Sequence, residues 1–357
     1  MATQMLPFLP QASLAAMQPQ MDVSVASVPG QQYDVVLPPL ETPEGVMSRE
    51  EATRVYGGQV RDWGHKFLET DAAYGKTRGE GACIFVLDTG GSYSNDDLTE
   101  SGRYLPNFAK NFTDAKTMDD MHGHSTHCAG IAAASNNDAF VIGVAPGARL
   151  VPVKVLNDSG SGQYAWIASA IRYVADVEGL PVAPDGTPLK RIISMSLGGG
   201  SADKGVTDAI DYAISKGVFI VVAAGNSGYR AGKDTVNFPG NYTPVVTVAS
   251  LDQGGTVSSF SSAGPAVDIA APGGKVLSTL PKNQVGTMSG TSMATPHVAG
   301  VVALLVSAYG FTHQDQLAKF LEEKAKDMGD AGKDQRTGAG APIVSGYFAA
   351  GAATLAG

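Results

Sequence analysis

Cysteine, positive charge and long apolar runs are scarce in this chain, and each scarcity removes a class of protein. Cys83 and Cys128 are the only cysteines in 357 residues and build no disulfide framework. Both fall in segments that read as buried, where free thiols are expected. Lys and Arg (25) fall short of Asp and Glu (34), and the net charge of −9 argues against nucleic acid or an anionic membrane as partner. No uninterrupted apolar run approaches the roughly 20 residues that span a bilayer. Residues 1–20 contain no basic residue and no unbroken apolar core, a poor secretory signal. These absences together lead to the expectation of a cytoplasmic protein.

Glycine is plentiful instead, 44 residues in a composition 43% hydrophobic and 17% charged. That is globular, with material for a core and many tight turns. The length admits two domains or one large α/β domain. Residues 1–46 are rich in Pro, Gln and Met without a sustained period and read as an extended arm. Ser48 and Glu51 have capping-box spacing and predict a short helix ending near Gly57. A second helical patch is expected over 63–73. Strands then alternate with helices: strands over 83–87, 150–156, 191–196, 218–223 and 245–250, and helices over 124–134, 163–177, 203–216 and 312–326, the last begun by Thr312. This alternation predicts an α/β fold, a largely parallel twisted sheet with helices on both faces. In such sheets ligands sit at the carboxyl ends of strands. Asp88 closes one predicted strand, Ser196–Gly198 follows another and Asn226 a third.

The segment Gly290–Gly300 crowds small residues around Ser292 and runs into a buried helix stopped by Gly310. Ser292 then lies at a helix N-terminus, which favours developing negative charge. Taken alone it reads equally as an N-cap serine, as Asp88 before Gly90 reads as a turn residue. His122, His124 and His127 cluster, but no Cys or Glu spacing completes a zinc pattern.

Gly290–Gly300 resembles the serine box of the subtilisin-type proteases, the subtilase family, at every position. His122–Gly130 resembles the histidine box of the family's proteinase K branch, with Ser125 where the family usually has Gly. The resemblance implies a three-layer, subtilisin-like domain over 47–357 and a serine endopeptidase. It makes His124 the base, Asp88 its orienting acid and Ser292 the nucleophile. The chain order Asp, His, Ser is that of the subtilisins themselves. Asn226 and the backbone N–H of Ser292 match the family's oxyanion donors. Ser196, Leu197 and Gly198 resemble one edge of the peptide cleft, and Gly160, Ser161 and Gly162 the other. Tyr164 is implied at the pocket for the fourth residue before the cut. Ala223, Ala224 and Gly225 are implied along the main specificity pocket, with Asn237 at its uncharged floor, so broad cleavage after apolar or uncharged residues is expected. Phe238–Pro239 matches a cis position.

A structural calcium is implied on Asp97, Asn137 and the carbonyls of Ser135, Ala139 and Val141, although Phe140 replaces a small residue and the loop reads equally as a solvated one. The expected partners are peptide or unfolded protein substrates, with no nucleic acid and no membrane, and oligomeric state is not indicated. The arm, residues 1–46, is a short propeptide candidate. Its Leu6–Leu9 stretch is similar to the inhibitory extension of intracellular subtilisins, so residues 1–20 are expected to block the cleft. Two rival readings share these residues: a pseudoprotease that only binds peptides, and a ligase that passes the acyl group to an amine.

Overall fold

The computed structural model describes residues 32–38, 42–91, 94–99, 102–138 and 140–349. The expectations for residues 1–20 and for Ala139 lie outside these.

The described chain begins as strand β1 (Val35–Val36) and, after a gap, β2 (Glu44–Ser48). Ser48 caps α1 (Arg49–Tyr56): its hydroxyl accepts the Glu51 N–H at 3.2 Å, and Gly57 at φ 74° ends the helix. The helix expected over 63–73 divides into α2 (Trp63–Phe67) and a 3-10 turn (Thr70–Ala73), because Glu69 between them sits at φ 53°. The chain then runs through β3 (Ala82–Asp88), α3 (Asp96–Thr99), β4 (Lys110–Asn111), α4 (His124–Ala133), β5 (Arg149–Lys154) and β6 (Ser161–Gly162). It continues with α5 (Tyr164–Asp176), β7 (Lys190–Met195), α6 (Lys204–Ser215), β8 (Phe219–Ala223) and β9 (Val246–Leu251). The strands β10 (Ile269–Pro272), β11 (Val276–Leu280) and β12 (Gln284–Met288) precede the long α7 (Thr291–Tyr309). Last come α8 (Gln314–Lys324), with His313 rather than the expected Thr312 at its N-cap position and no side-chain cap bond, and α9 (Val344–Phe348).

Among the described residues seven strands form one parallel sheet in the order β10-β9-β8-β7-β3-β5-β4. The chain lays β4 and β5 to one side of β3 and then builds β7 to β10 outward on the other. Winding therefore reverses beside β3, and Asp88 is the last residue of that strand. Side chains of β3 alternate between two cores: Ile84 and Val86 pack with α4 and α7, while Cys83, Phe85 and Leu87 pack with α5 and α6. Burial on both faces explains why the strand reads as an unbroken apolar run.

Small residues let α4 and α7 approach closely; a Cβ on Gly300 would come within 2.6 Å of Val144 Cβ and 3.0 Å of the Ala132 carbonyl oxygen. By length and composition α7 is apolar enough to cross a membrane, which qualifies the expectation from apolar runs, but it is the buried core helix here. The sequence showed no sign of the second, antiparallel sheet β11-β12-β2. Gly273 and Gly274 precede β11, and Pro281 stands in the turn between β11 and β12.

Candidate active site

At the carboxyl end of β3, the buried Asp88 carboxylate accepts the His124 Nδ1–H, with Oδ1 at 2.7 Å and Oδ2 at 2.9 Å. That bond fixes the tautomer and leaves Nε2 as the atom that exchanges protons. The pair is held by Asp120, which the sequence did not single out. Its buried carboxylate accepts from Thr89 Oγ1 (2.8 Å), the Gly123 N–H (2.8 Å) and both the N–H (2.8 Å) and Oγ1 (2.7 Å) of Thr126. Thr89 Oγ1 in turn accepts the Ser125 N–H at 3.0 Å. The strand end carrying Asp88 and the helix start carrying His124 are thereby tied through one carboxylate. Ser125 takes part through its backbone, so a serine in place of glycine leaves the turn intact.

Ser292 is the second residue of α7, and Pro296 four residues on has no N–H to give its carbonyl. The Ser292 carbonyl instead accepts from Ser196 Oγ at 2.7 Å and from Cys128 Sγ at 3.4 Å. Cys128 Sγ also lies 4.0 Å from His124 Nδ1. The backbone of Ser292 is therefore tied to the end of β7 and to the helix that carries the histidine. Ser292 Oγ donates to the Ser196 carbonyl at 3.2 Å. Burial pushes the Cys128 thiol pKa up, with His124 opposing and Asp88 adding, so the sulfur stays a thiol. Both cysteines are free and buried.

Asn226 Oδ1 accepts the Thr291 N–H at 2.9 Å and Thr291 Oγ1 at 3.1 Å. A backbone N–H is always a donor, so the atom facing it is the amide oxygen. Nδ2 is then the donor end, on a residue that lines one cavity with Ser292. His127 faces inward, its Nε2 3.1 Å from the Val276 and Gly286 carbonyls, and burial, reinforced by the charge of His124, pushes its pKa down to about 3. His122 stands outside, its ring edge-on to His124 with centroids 6.1 Å apart.

The cavity at Ser292, about 140 Å³, is lined by Leu197, Gly198, Ala223, Gly225 and Asn237 as well as by Asn226. Ala224 packs into the core with Val236 and Ala249 instead of lining the pocket. Tyr164 stacks edge-on against Phe238 at 5.3 Å, and the Phe238–Pro239 peptide is cis. Part of the cavity wall is Val36, Leu37 and Pro38 of the chain's own arm. Here β1 pairs antiparallel with β6, Val35 opposite Gly162 and Val36 opposite Ser161, and Val35 also bridges Gly199. Leu37 N–H donates to the Gly160 carbonyl at 3.0 Å. A side chain at Gly199 would collide with the Asp34 carbonyl, so glycine there admits the strap. Among the described residues the segment lying along the predicted peptide cleft is thus Tyr33–Pro38 of the arm.

The candidate calcium loop has a centre. The carbonyls of Ser135 and Val141 and Oδ1 of Asn137 converge on Gln59 Nε2 at 2.5, 3.0 and 3.3 Å. Asp97 Oδ2 accepts the Val141 N–H at 3.0 Å. The two ends of an amide differ only by hydrogen-bond assignment. With Gln59 turned, its Oε1 would join Asp97 and those oxygens in an all-oxygen set that fits a hard divalent cation. Gln59 was not foreseen, because 76 residues separate it from Ser135. Phe140, at φ 42°, turns into the core without breaking the loop.

The model of the subtilase family matches residues 79–340. The chain is 41% identical over 249 residues to thermitase of Thermoactinomyces vulgaris, covering 69% of this chain and 82% of that protein. It is 38% identical over 255 residues to subtilisin DY of Bacillus licheniformis, covering 71% and 87%. It is 39% identical over 248 residues to an intracellular serine protease of Paenibacillus polymyxa, covering 68% and 72%.

Proposed function

The chain belongs to the subtilase family and is a subtilisin-type serine endopeptidase; from that premise we propose that Ser292 is its nucleophile, His124 its base and Asp88 the orienting acid. Ser292 Oγ attacks the peptide carbonyl as His124 Nε2 takes its proton, and Asp88 stabilises the resulting imidazolium. Asn226 Nδ2 and the Ser292 N–H hold the oxyanion. His124 then gives the proton to the leaving amine as the C–N bond breaks. Water, deprotonated by His124, hydrolyses the acyl-enzyme and frees Ser292. The observation that carries this is the buried Asp88–His124 bond, set against a serine whose own carbonyl is clamped by Ser196 and Cys128. A fluorophosphonate should label Ser292 in the native chain and nothing in Ser292→Ala. Labelling that survives the substitution would overturn the assignment.

Peptides and proteins are the substrates of the family, and the uncharged Asn237 beside Gly225 supports cleavage after apolar or uncharged residues. The oxygens around Gln59 support a structural calcium held by Asp97, Asn137, Ser135, Val141 and Gln59. The strap supports a zymogen. It lies in the cleft as a bound peptide would, paired through its backbone. Its sequence continues Pro38-Pro39, so the residue beside Ser292 offers no N–H to the cleft edge, and the bond after it is a tertiary amide. A plug with these features binds like a substrate and resists being cut. Removing it is then the activating step.

A further inference from the structure

We propose that the peptide cleft extends into a further pair of subsites, built from Asn157, the Tyr164 N–H and Trp166, that select an aromatic residue followed by an acidic one at the sixth and fifth positions before the cut. The inference rests on the protease reading and names its substrate class more closely.

The strap supplies the register. Of the strap residues lining the cavity with Ser292, Pro38 is the last, and Leu37 before it bonds to Gly160; with Pro38 taken as the residue before the cut, counting back places Val35 fourth, Asp34 fifth and Tyr33 sixth. Val35 is buried, but the strap does not stop making contacts there. The Asp34 N–H donates to the Gly162 carbonyl at 2.9 Å, and Asp34 Oδ2 accepts the Tyr164 N–H at 2.9 Å. Tyr164 opens the 13-residue α5, whose N-cap Gln163 makes no side-chain cap bond. The incoming carboxylate supplies that cap, where its charge is favoured. Beyond it, the Tyr33 hydroxyl accepts Asn157 Nδ2 at 3.0 Å, and the Tyr33 ring meets Trp166 at 6.3 Å between centroids, tilted by 59°.

Asn157 is set for this work by its own loop. Its Oδ1 accepts the N–H groups of Ser159 and Ser161, both at 3.1 Å, and Ser159 Oγ at 2.7 Å. Two backbone donors fix which end of the amide is oxygen, so Nδ2 faces outward as a donor before any ligand arrives. A preset amide donor, an N–H without a cap of its own and a half-buried indole together match a tyrosine hydroxyl, a carboxylate and an aromatic ring.

The test uses the full-length chain and reporter-amide hexapeptides of sequence Tyr-Asp-Val-Val-Leu-Ala, with Asn or Lys replacing Asp, or Ala replacing Tyr. Strap occupancy scales every kcat/KM alike, so ratios between peptides are free of it. Asp should exceed Asn by about two- to fivefold and Lys by more. That preference should shrink towards unity at 1 M salt, where screening acts within about 3 Å. Asn157→Ala should weaken the preference for Tyr, leaving the part due to the Trp166 ring, and keep the one for Asp. Equal values for Asp, Asn and Lys, or an Asp preference indifferent to salt, would overturn the proposal. Fluorescence anisotropy of the same peptides, labelled, on Ser292→Ala gives the matching Kd ratios without turnover. Absent cleavage with those ratios intact would count against the protease reading and not against these subsites.

Discussion

The catalytic edge and the strap that crosses it hold their positions by different means. At the edge, side chains do the holding: Asp120 gathers the Thr89 and Thr126 hydroxyls and the Gly123 N–H, Asn226 grips the Thr291 N–H, and Ser196 and Cys128 clamp the Ser292 carbonyl. Along the strap, backbone pairs with backbone at Val35 and Val36, side chains join at Tyr33 and Asp34, and Val36 is 61% exposed. A network of side chains fixes atoms and leaves few residue types free to vary. Strand addition fixes a path and leaves alternate side chains free. One device suits groups that must meet a transition state, and the other suits the segment whose removal we propose as the activating step.

Changes at the edge should therefore cost much more than changes on the solvent face of the strap. Asn226→Ala removes the proposed oxyanion donor and should lower kcat by about 10²–10³ with KM little moved, read in steady-state peptide hydrolysis. A mainly raised KM would mean that Asn226 binds ground state and transition state alike.

The next effects fall on the frame that carries the edge. Burial holds the pKa of His65 and His127 near about 3 and that of His297 near about 4. In the unfolded chain these rings take up protons from about pH 6.5. The unfolded state then binds more protons, so stability is complete above pH 6.5 and is lost as pH falls towards 4 and 3. Melting scans should show a falling Tm below about pH 6, and a flat profile between pH 7 and 4 would contradict the burial. Chelation should act on the same frame. Calcium at about 100 times its Kd adds about 2.7 kcal/mol, so in a chain of this length a chelator should lower Tm by about 4 °C. Asp97→Ala should abolish that response, whereas an unchanged Tm in the native chain would remove calcium from the account. The smallest change belongs to the strap: Val36→Ser should alter peptide hydrolysis by less than about twofold.

This contrast also explains what could be read in advance. Asp88, His124, Asn226 and Ser292 stand in stretches whose residue types are dictated by chemistry, so their neighbourhoods were legible, as was the alternation of β3, α5, β7 and α6 around a parallel sheet. Roles that depend on distant partners were not. Gln59 meets its loop across 82 residues at Val141, and Asp120 joins the nearby Gly123 and Thr126 to Thr89, 31 residues back. Pro296 in a helix read only as part of a box, whereas its missing N–H is what releases the Ser292 carbonyl to Ser196. The strands β2, β11 and β12 lie among glycines and prolines, and their pairing is non-local. The strap was least legible, because backbone pairing writes no period into a sequence, and only its prolines hint at its use.

The central claim is that a complete serine nucleophile waits behind its own chain. Val35, 1% exposed, is the strap's buried anchor, and loss of such a side chain from its site is worth about 1.5–3 kcal/mol. The decisive measurement is the rate at which a fluorophosphonate labels Ser292 in the full-length chain and in Val35→Lys. The account predicts labelling at Ser292 in both, about ten- to a hundredfold faster in the variant. Equal rates would show that the strap does not guard the serine, and no labelling of either would show that Ser292 is not a nucleophile.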